Sequence, residues 1–455
     1  MPRNKAVQEV LVSQGALDKR IISRFAESFA GDPANLVAQN VLSAVKPEDA
    51  ALNRRAVNAT DHSFSVHLDD WSVTAQHASG RCWIFAGLNV FRPAAMKNMN
   101  VKEFEFSQNF VQFWNKLERI NYVLETMIRT ADRPVDDRTV AYLLDHPLDD
   151  GGQWNMFADV VRKHGLVPKA AMPESFGSSN SAGMNKILAM LVRRGAATVR
   201  EAIESGEPVD RVRHTKEEIV GSAYRVLSMH LGEPPQRFTW QWKDKDNAFH
   251  RDEEMTPHEF AEAYLEMQPH DFVTLVHDPR PGNDYLRTFT VEHLANVVGG
   301  EPVKYLNVPV ETLKSLAIAS LEGGRPVWFG CDMGKMMSRT LGILDPNLYE
   351  YEALYRIPLG MDKASRLLYH QTAMSHAMVF TGVDLVDGRP RRWRVENSWG
   401  EEPGKKGYFV MNDGWFDEYV LEIASPRHEL SAELQEAFDT EPIVLPAWDP
   451  MGSLA

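Results

Sequence analysis

The chain has 455 residues, 44% hydrophobic and 25% charged, the ordinary balance of a globular protein with a large core. A net charge of −14 argues against a nucleic-acid-binding regulator, because phosphate contacts need a basic face. No stretch approaches a membrane span, no signal-peptide core opens the chain, and only Cys82 and Cys331 occur, so a soluble, cytoplasmic protein with free thiols is expected.

Residues 1–70 read as a polar, helical opening, with Ile21, Ile22, Phe25 and Phe29 near helical spacing. Val73 to Arg81 is small and polar, as a loop is, whereas Trp83 to Val90 is apolar and unbroken until Pro93. Cys82 therefore stands at the mouth of a helix, where unpaired amides and the helix dipole favour a nucleophilic thiolate. Gln76, on the same loop, is placed to bind an oxyanion together with the Cys82 backbone N–H. A lone cysteine on an apolar helix is commonly buried filler, so this assignment needs a base elsewhere.

Phe104 to Thr130 predicts a second helix whose aromatic stripe is core. Gly151 and Gly152 precede a helix over 156–164 and mark either a helix-entry turn or a close approach of another backbone. Residues 170–265 read as a helical insertion whose acidic and basic residues nearly balance, which solvated helix faces explain. No Cys/His cluster has metal-ligand spacing, and neither a metal nor another cofactor is expected.

From Asp271 the pattern turns to short strands at 272–276, 326–330, 377–386, 393–395, 408–411 and 419–423. A helical half followed by an antiparallel β half makes the fold α+β, with a cleft between the halves. His376 starts one strand and Asn397 ends the next, across an Asp387-Gly388 hairpin signal. Paired positions in such a hairpin sum to about 775, and His376 with Asn397 gives 773, which makes them neighbours. The Asn carbonyl then orients one imidazole nitrogen and Trp399 covers the bond. His370 is a rival base without an evident orienter, and Cys331 reads as core.

Gln76, Cys82-Trp83, His376 and Asn397-Ser398-Trp399-Gly400, in that order, resemble the papain-like cysteine peptidases. Ser107-Gln-Asn-Phe, Asp150-Gly-Gly-Gln-Trp154, Tyr305-Leu-Asn-Val-Pro-Val310 and Trp448-Asp-Pro-Met-Gly452 narrow the resemblance to the bleomycin hydrolase and aminopeptidase C branch. The resemblance implies that Cys82 attacks, His376 shuttles the proton, Asn397 orients it and Gln76 completes the oxyanion hole. It also implies that Gly151 and Gly152 receive the substrate backbone, that 170–265 is a hook-like insertion, and that six copies form a barrel with inward-facing sites.

Departures are Ala75, where the family usually has Asn, and His370-Gln371, where it commonly has Gly-Glu. The chain is thus divided into an N-terminal extension (1–70), a helical half (71–169), the insertion (170–265), a β half (266–443) and an arm (444–455). The arm carries Trp448, Met451 and Leu454 between prolines, so it packs as extended chain. By the resemblance it lies in the cleft, its Ala455 carboxylate meeting the ammonium of a peptide substrate. A cytosolic cysteine aminopeptidase is the expected activity; the alternatives are an endopeptidase or bleomycin-hydrolase-type amide hydrolase, or the nucleic-acid-binding regulator that net charge disfavours.

Overall fold

The computed structural model describes residues 15–455, so the first fourteen residues of the helical opening lie outside the described residues. The chain forms two compact units. The smaller comprises residues up to Val57 and Asn347–Gly360, and therefore ends earlier than the expected boundary near residue 70. Its helices Lys19–Ala30 and Pro33–Leu42 begin at Asp18 and Asp32, whose carboxylates accept backbone N–H groups of the first turn. Neither helix buries a residue fully, and Ile22, Phe25 and Phe29 are exposed.

In the larger unit, Asn58–Pro346 with Met361–Ala455, the α+β expectation is borne out. The helical half is built on Cys82–Asn98 and Gln108–Arg129, the latter capped by Ser107. Pro93 does not end the first helix but sits inside it, because burial on most sides holds the helix together past the lost hydrogen bond. Helix Trp154–His164 packs between this half and the sheet, and Trp154 meets Phe91, Phe157, Phe272 and Trp328 at ring-centroid distances of 6.1, 5.6, 5.0 and 5.9 Å.

The sheet has twelve strands among the described residues. Its order is Ile443–Leu445, Arg287–Val291, Tyr305–Asn307, Phe272–Val276, Val420–Pro426, Val327–Cys331, His376–Val386, Arg389–Glu396, Tyr408–Asn412, Ile343–Leu344 and Met337–Ser338, with Val66–His67 beside His376–Val386. Most pairs are antiparallel; three are parallel, joining Phe272–Val276 to Tyr305–Asn307, Arg287–Val291 to Ile443–Leu445, and Tyr408–Asn412 to Ile343–Leu344. The hairpin turns at Asp387 and Gly388, both at positive φ, as a tight two-residue turn requires. Irregularities at Asp384/Leu385 and at Phe380/Gly382 shift its register by one residue and back again.

The insertion is not wholly helical. After helices Ala182–Glu204 and Val209–Leu231 it forms a two-stranded ribbon, Phe238–Lys243 with Phe249–Met255. Phe238, Trp240 and Trp242 alternate with polar residues ahead of an Asp-Lys-Asp-Asn turn, a period of two that outweighs the charge pattern.

One buried carboxylate joins the pieces that form the cleft. Glu396, 1% exposed, accepts from Trp71 Nε1 and Asn89 Nδ2, each at 2.9 Å, and Arg92 stands 3.9 Å away. Asn89 and Arg92 belong to the Cys82 helix, Trp71 to the loop that leads to Gln76, and Glu396 immediately precedes Asn397. Glu396→Ala leaves the buried Trp71 and Asn89 donors short of an acceptor, while Arg92 keeps Ser72 O, Phe104 O and Glu103. It should lower the free energy of unfolding in urea by ~2–5 kcal/mol, at ~1–3 kcal/mol for each unsatisfied buried donor.

Candidate active site

The helix starts at Cys82, which is 2% exposed, and the sulfur is met by the backbone N–H of Ala377 as well as those of Cys82 and Trp83. Ala377 follows His376 at the start of its strand, so sheet and helix deliver imidazole and thiol to one place. His376 Nε2 stands 2.9 Å from Asn397 Oδ1, which also accepts the Ser398 N–H at 2.8 Å. With Nε2 engaged, Nδ1 is the nitrogen available to a thiol proton. Trp399 lies against the imidazole, ring centroids 5.0 Å apart, and Arg339 covers its other side at 4.7 Å.

Gln76 is carried to the same spot by pairing between the incoming loop and the segment after Asn397. Its N–H donates to Ser398 O at 2.8 Å, Gly400 donates to Thr74 O at 3.0 Å, and Ala75 bridges to Trp399. The side-chain amide is fixed at both ends: Ser398 Oγ donates to Oε1 at 2.6 Å, and Nε2 donates one hydrogen to Ser79 O. An amide nitrogen carries two hydrogens, so Nε2 has one more to donate.

Burial pushes the Cys82 thiol up to about 11 and the His376 imidazole down to about 4. Burial thus disfavours the charged form of each, which opposes the thiolate expected at the helix mouth. A helix N-terminus contributes ~0.3–1 kcal/mol, less than the desolvation of a fully buried thiolate.

The same cleft of about 500 Å³ is lined by Gln76, Cys82, Gly151, His376 and Ala455. The arm enters it as extended chain. Ala455 N–H donates to Gly152 O at 3.2 Å and Ala455 O accepts from Gly152 N–H at 3.3 Å, a reciprocal antiparallel pair. A Cβ on Gly151 would stand 2.7 Å from Ala455 O and from Leu454 Cβ, and one on Gly152 2.5 Å from the Trp83 indole. The paired glycines are thus a close-approach site, and the helix-entry reading is set aside. Strand Ile443–Leu445, the Arg280–Asp449 ion pair at 2.8 Å, Arg138 over the Trp448 ring at 3.8 Å, and Gln153 Nε2 on Ser453 O at 2.8 Å hold the arm there.

The model of the peptidase C1-like family matches residues 16–452. The chain belongs to that family. Among its relatives, the aminopeptidase C of Listeria innocua is 44% identical over 393 residues, 86% of this chain and 88% of that protein. Human bleomycin hydrolase is 40% identical over 454 residues, 98% of this chain and 100% of that protein. The solved structure of PepW from Lactobacillus rhamnosis aligns with a TM-score of 0.95 at 40% identity, covering 97% of this chain and 100% of that one.

Within this peptidase fold, several residues of the site escaped the sequence reading. Ser398 orients Gln76, and Gln153 and Arg280 seat the arm; Ser398 sits inside the Asn397 motif, whereas the other two carry no local signal because their partners are 169 or more positions away. His370 is exposed in a left-handed turn. Cys331 is buried in the sheet and points its thiol at His376 O, 3.7 Å away. Among the described residues no group of three His, Cys, Asp or Glu side chains is placed to hold a metal, and no helix is long and apolar enough to cross a membrane.

Because burial is the leading cause of the raised thiol, iodoacetamide alkylation of Cys82 should stay slow through neutral pH and rise steeply toward pH 11. Deleting residues 444–455 should move that profile to lower pH. A full-length profile already at its plateau by about pH 6 would mean a resting ion pair instead.

Proposed function

We propose that the chain is a cysteine aminopeptidase releasing single residues from the amino terminus of peptides through an acyl-enzyme on Cys82. The observation that carries this reading is the reciprocal backbone pair of Ala455 with Gly152 beside the nucleophile, which occupies the cleft upstream of the scissile bond. A peptide then extends only one residue past the sulfur on that side, and its ammonium meets the Ala455 carboxylate. The aminopeptidase C name of several relatives agrees with it.

In the reaction, His376 Nδ1 takes the thiol proton as sulfur attacks the first peptide carbonyl, and Asn397 stabilises the imidazolium through Nε2. The oxyanion lies between the Cys82 N–H and the free Nε2 hydrogen of Gln76. Collapse of the tetrahedral species expels the amine, which takes the proton from His376. Water, deprotonated by the same imidazole, then cleaves the thioester and restores Cys82.

We further place the chain in a homohexamer. The smaller unit exposes Ile22, Phe25, Phe29, Leu36 and Val37 on two amphipathic helices, an apolar surface that assembly would cover. A cytoplasmic location accords with two free cysteines.

A short peptide amide with a free amino terminus should turn over, its N-acetylated twin should turn over at least ~100-fold more slowly, and Cys82→Ala should cleave neither. Deleting Leu454 and Ala455 should raise the rate on the acetylated peptide while lowering kcat/KM on the free one. Equal cleavage of both peptides by the full-length protein would make it an endopeptidase or a general amide hydrolase.

A further inference from the structure

The residue between Gly80 and the nucleophile is an arginine, and its side chain is completely buried, 0% exposed. Arg81 Nη1 and Nη2 donate to the two carboxylate oxygens of Glu174 at 2.9 and 2.8 Å, and its Nε donates to Ser79 Oγ at 2.9 Å. Ser79 Oγ in turn donates to Gln76 O at 2.6 Å, and Ser79 O is the acceptor that fixes the Gln76 side-chain amide. An unbroken chain of polar contacts therefore runs from Glu174, at the start of the insertion, to the amide that faces the oxyanion.

A second bracket holds the same loop from the other side. Gly80 N–H donates to Asp150 Oδ2 at 3.2 Å, and Asp150 is paired with buried Lys116 at 2.6 Å. Asp150 also accepts from Asn185 Nδ2 at 2.8 Å and from Ser181 Oγ, both in the insertion, and Ala78 N–H donates to Ser179 O at 2.9 Å. A Cβ on Gly80 would stand 2.9 Å from Asp150 Cβ, so the two residues are in close contact. Residues 78–81 are thus held almost wholly by groups from 150 and 174–185.

We propose that Arg81 and Glu174 are positioning residues for the oxyanion-binding amide of Gln76, so that the insertion is part of the catalytic apparatus and not an appended module. The inference rests on the reading of Cys82 and Gln76 given above. The Arg81 fork fits one carboxylate and one hydroxyl at once. Only a bidentate partner sets its plane, and that plane sets Ser79. A displacement of Ser79 is passed to Gln76 Nε2, and an oxyanion donor out of place is costly to the transition state while leaving ground-state binding intact.

The test compares wild type with Glu174→Gln, Glu174→Asp, Arg81→Lys and Cys82→Ala. Three quantities are measured: turnover of a free-amine peptide amide, affinity for a peptide aldehyde whose hemithioacetal oxyanion uses the hole, and iodoacetamide alkylation, which forms no oxyanion. Glu174→Gln and Arg81→Lys should lower kcat by ~10- to 100-fold and weaken the aldehyde by a similar factor. KM and the alkylation rate should stay within about twofold. Glu174→Asp, which keeps the charge, should recover part of the loss. Unchanged kcat, or alkylation falling in step with kcat, would overturn the positioning role. Full activity in Cys82→Ala would instead overturn the functional reading itself, a result distinct from failure of the clamp.

Discussion

A carboxylate buried without solvent is tolerated only where its lone pairs are met, and Glu396 meets this condition by drawing three distant segments together. Its partners are the indole that precedes the oxyanion loop, an amide and a guanidinium on the nucleophile helix, and its own strand, which delivers Asn397 one residue later. Burial holds its carboxyl up at about 7, so the network is sustained as much by hydrogen bonds as by charge. Because the contacts are mutual, the helical half and the sheet cannot slide past one another at the cleft without leaving a buried polar group unpaired. The registry of thiol, imidazole and amide follows from that.

Reactivity in this cleft is set by exclusion of water. Cys82 and His376 are nearly inaccessible, and burial moves each of them toward its neutral form. In the mechanism proposed above, the charge separation of a thiolate–imidazolium pair develops during attack, with the Asn397 carbonyl already against the imidazole. The arm contributes to this enclosure, lying in the cleft against Gly151 and Gly152.

The parts of the site legible in the sequence are those with a local signature. Cys82 announced itself by the change from polar loop to apolar run, and His376 with Asn397 by hairpin arithmetic across Asp387-Gly388, whose sum of 775 holds at Val379–Glu396 because two opposite register shifts cancel. The short strands Arg287–Val291, Tyr305–Asn307 and Ile443–Leu445 were not legible, because three to five residues supply too little periodicity and each of these strands has a parallel partner remote in sequence. The ribbon inside the insertion was legible in principle from Phe238, Trp240 and Trp242, but the surrounding charged helices masked it.

By itself, then, the sequence determined the α+β division, the place of Cys82 at a helix mouth, and the pairing of His376 with Asn397, since each depends on patterns within a few residues. Tertiary structure alone decided the rest. It chose close approach over a simple turn at Gly151 and Gly152, buried the Cys82 thiol so deeply that its charged form is disfavoured, seated the arm through Arg280 and Gln153, and joined Arg81 to Glu174 across 93 positions. Burial and long-range hydrogen bonds are properties of the packed chain, and no local pattern of residues encodes how deeply a group is buried or which distant partner it meets.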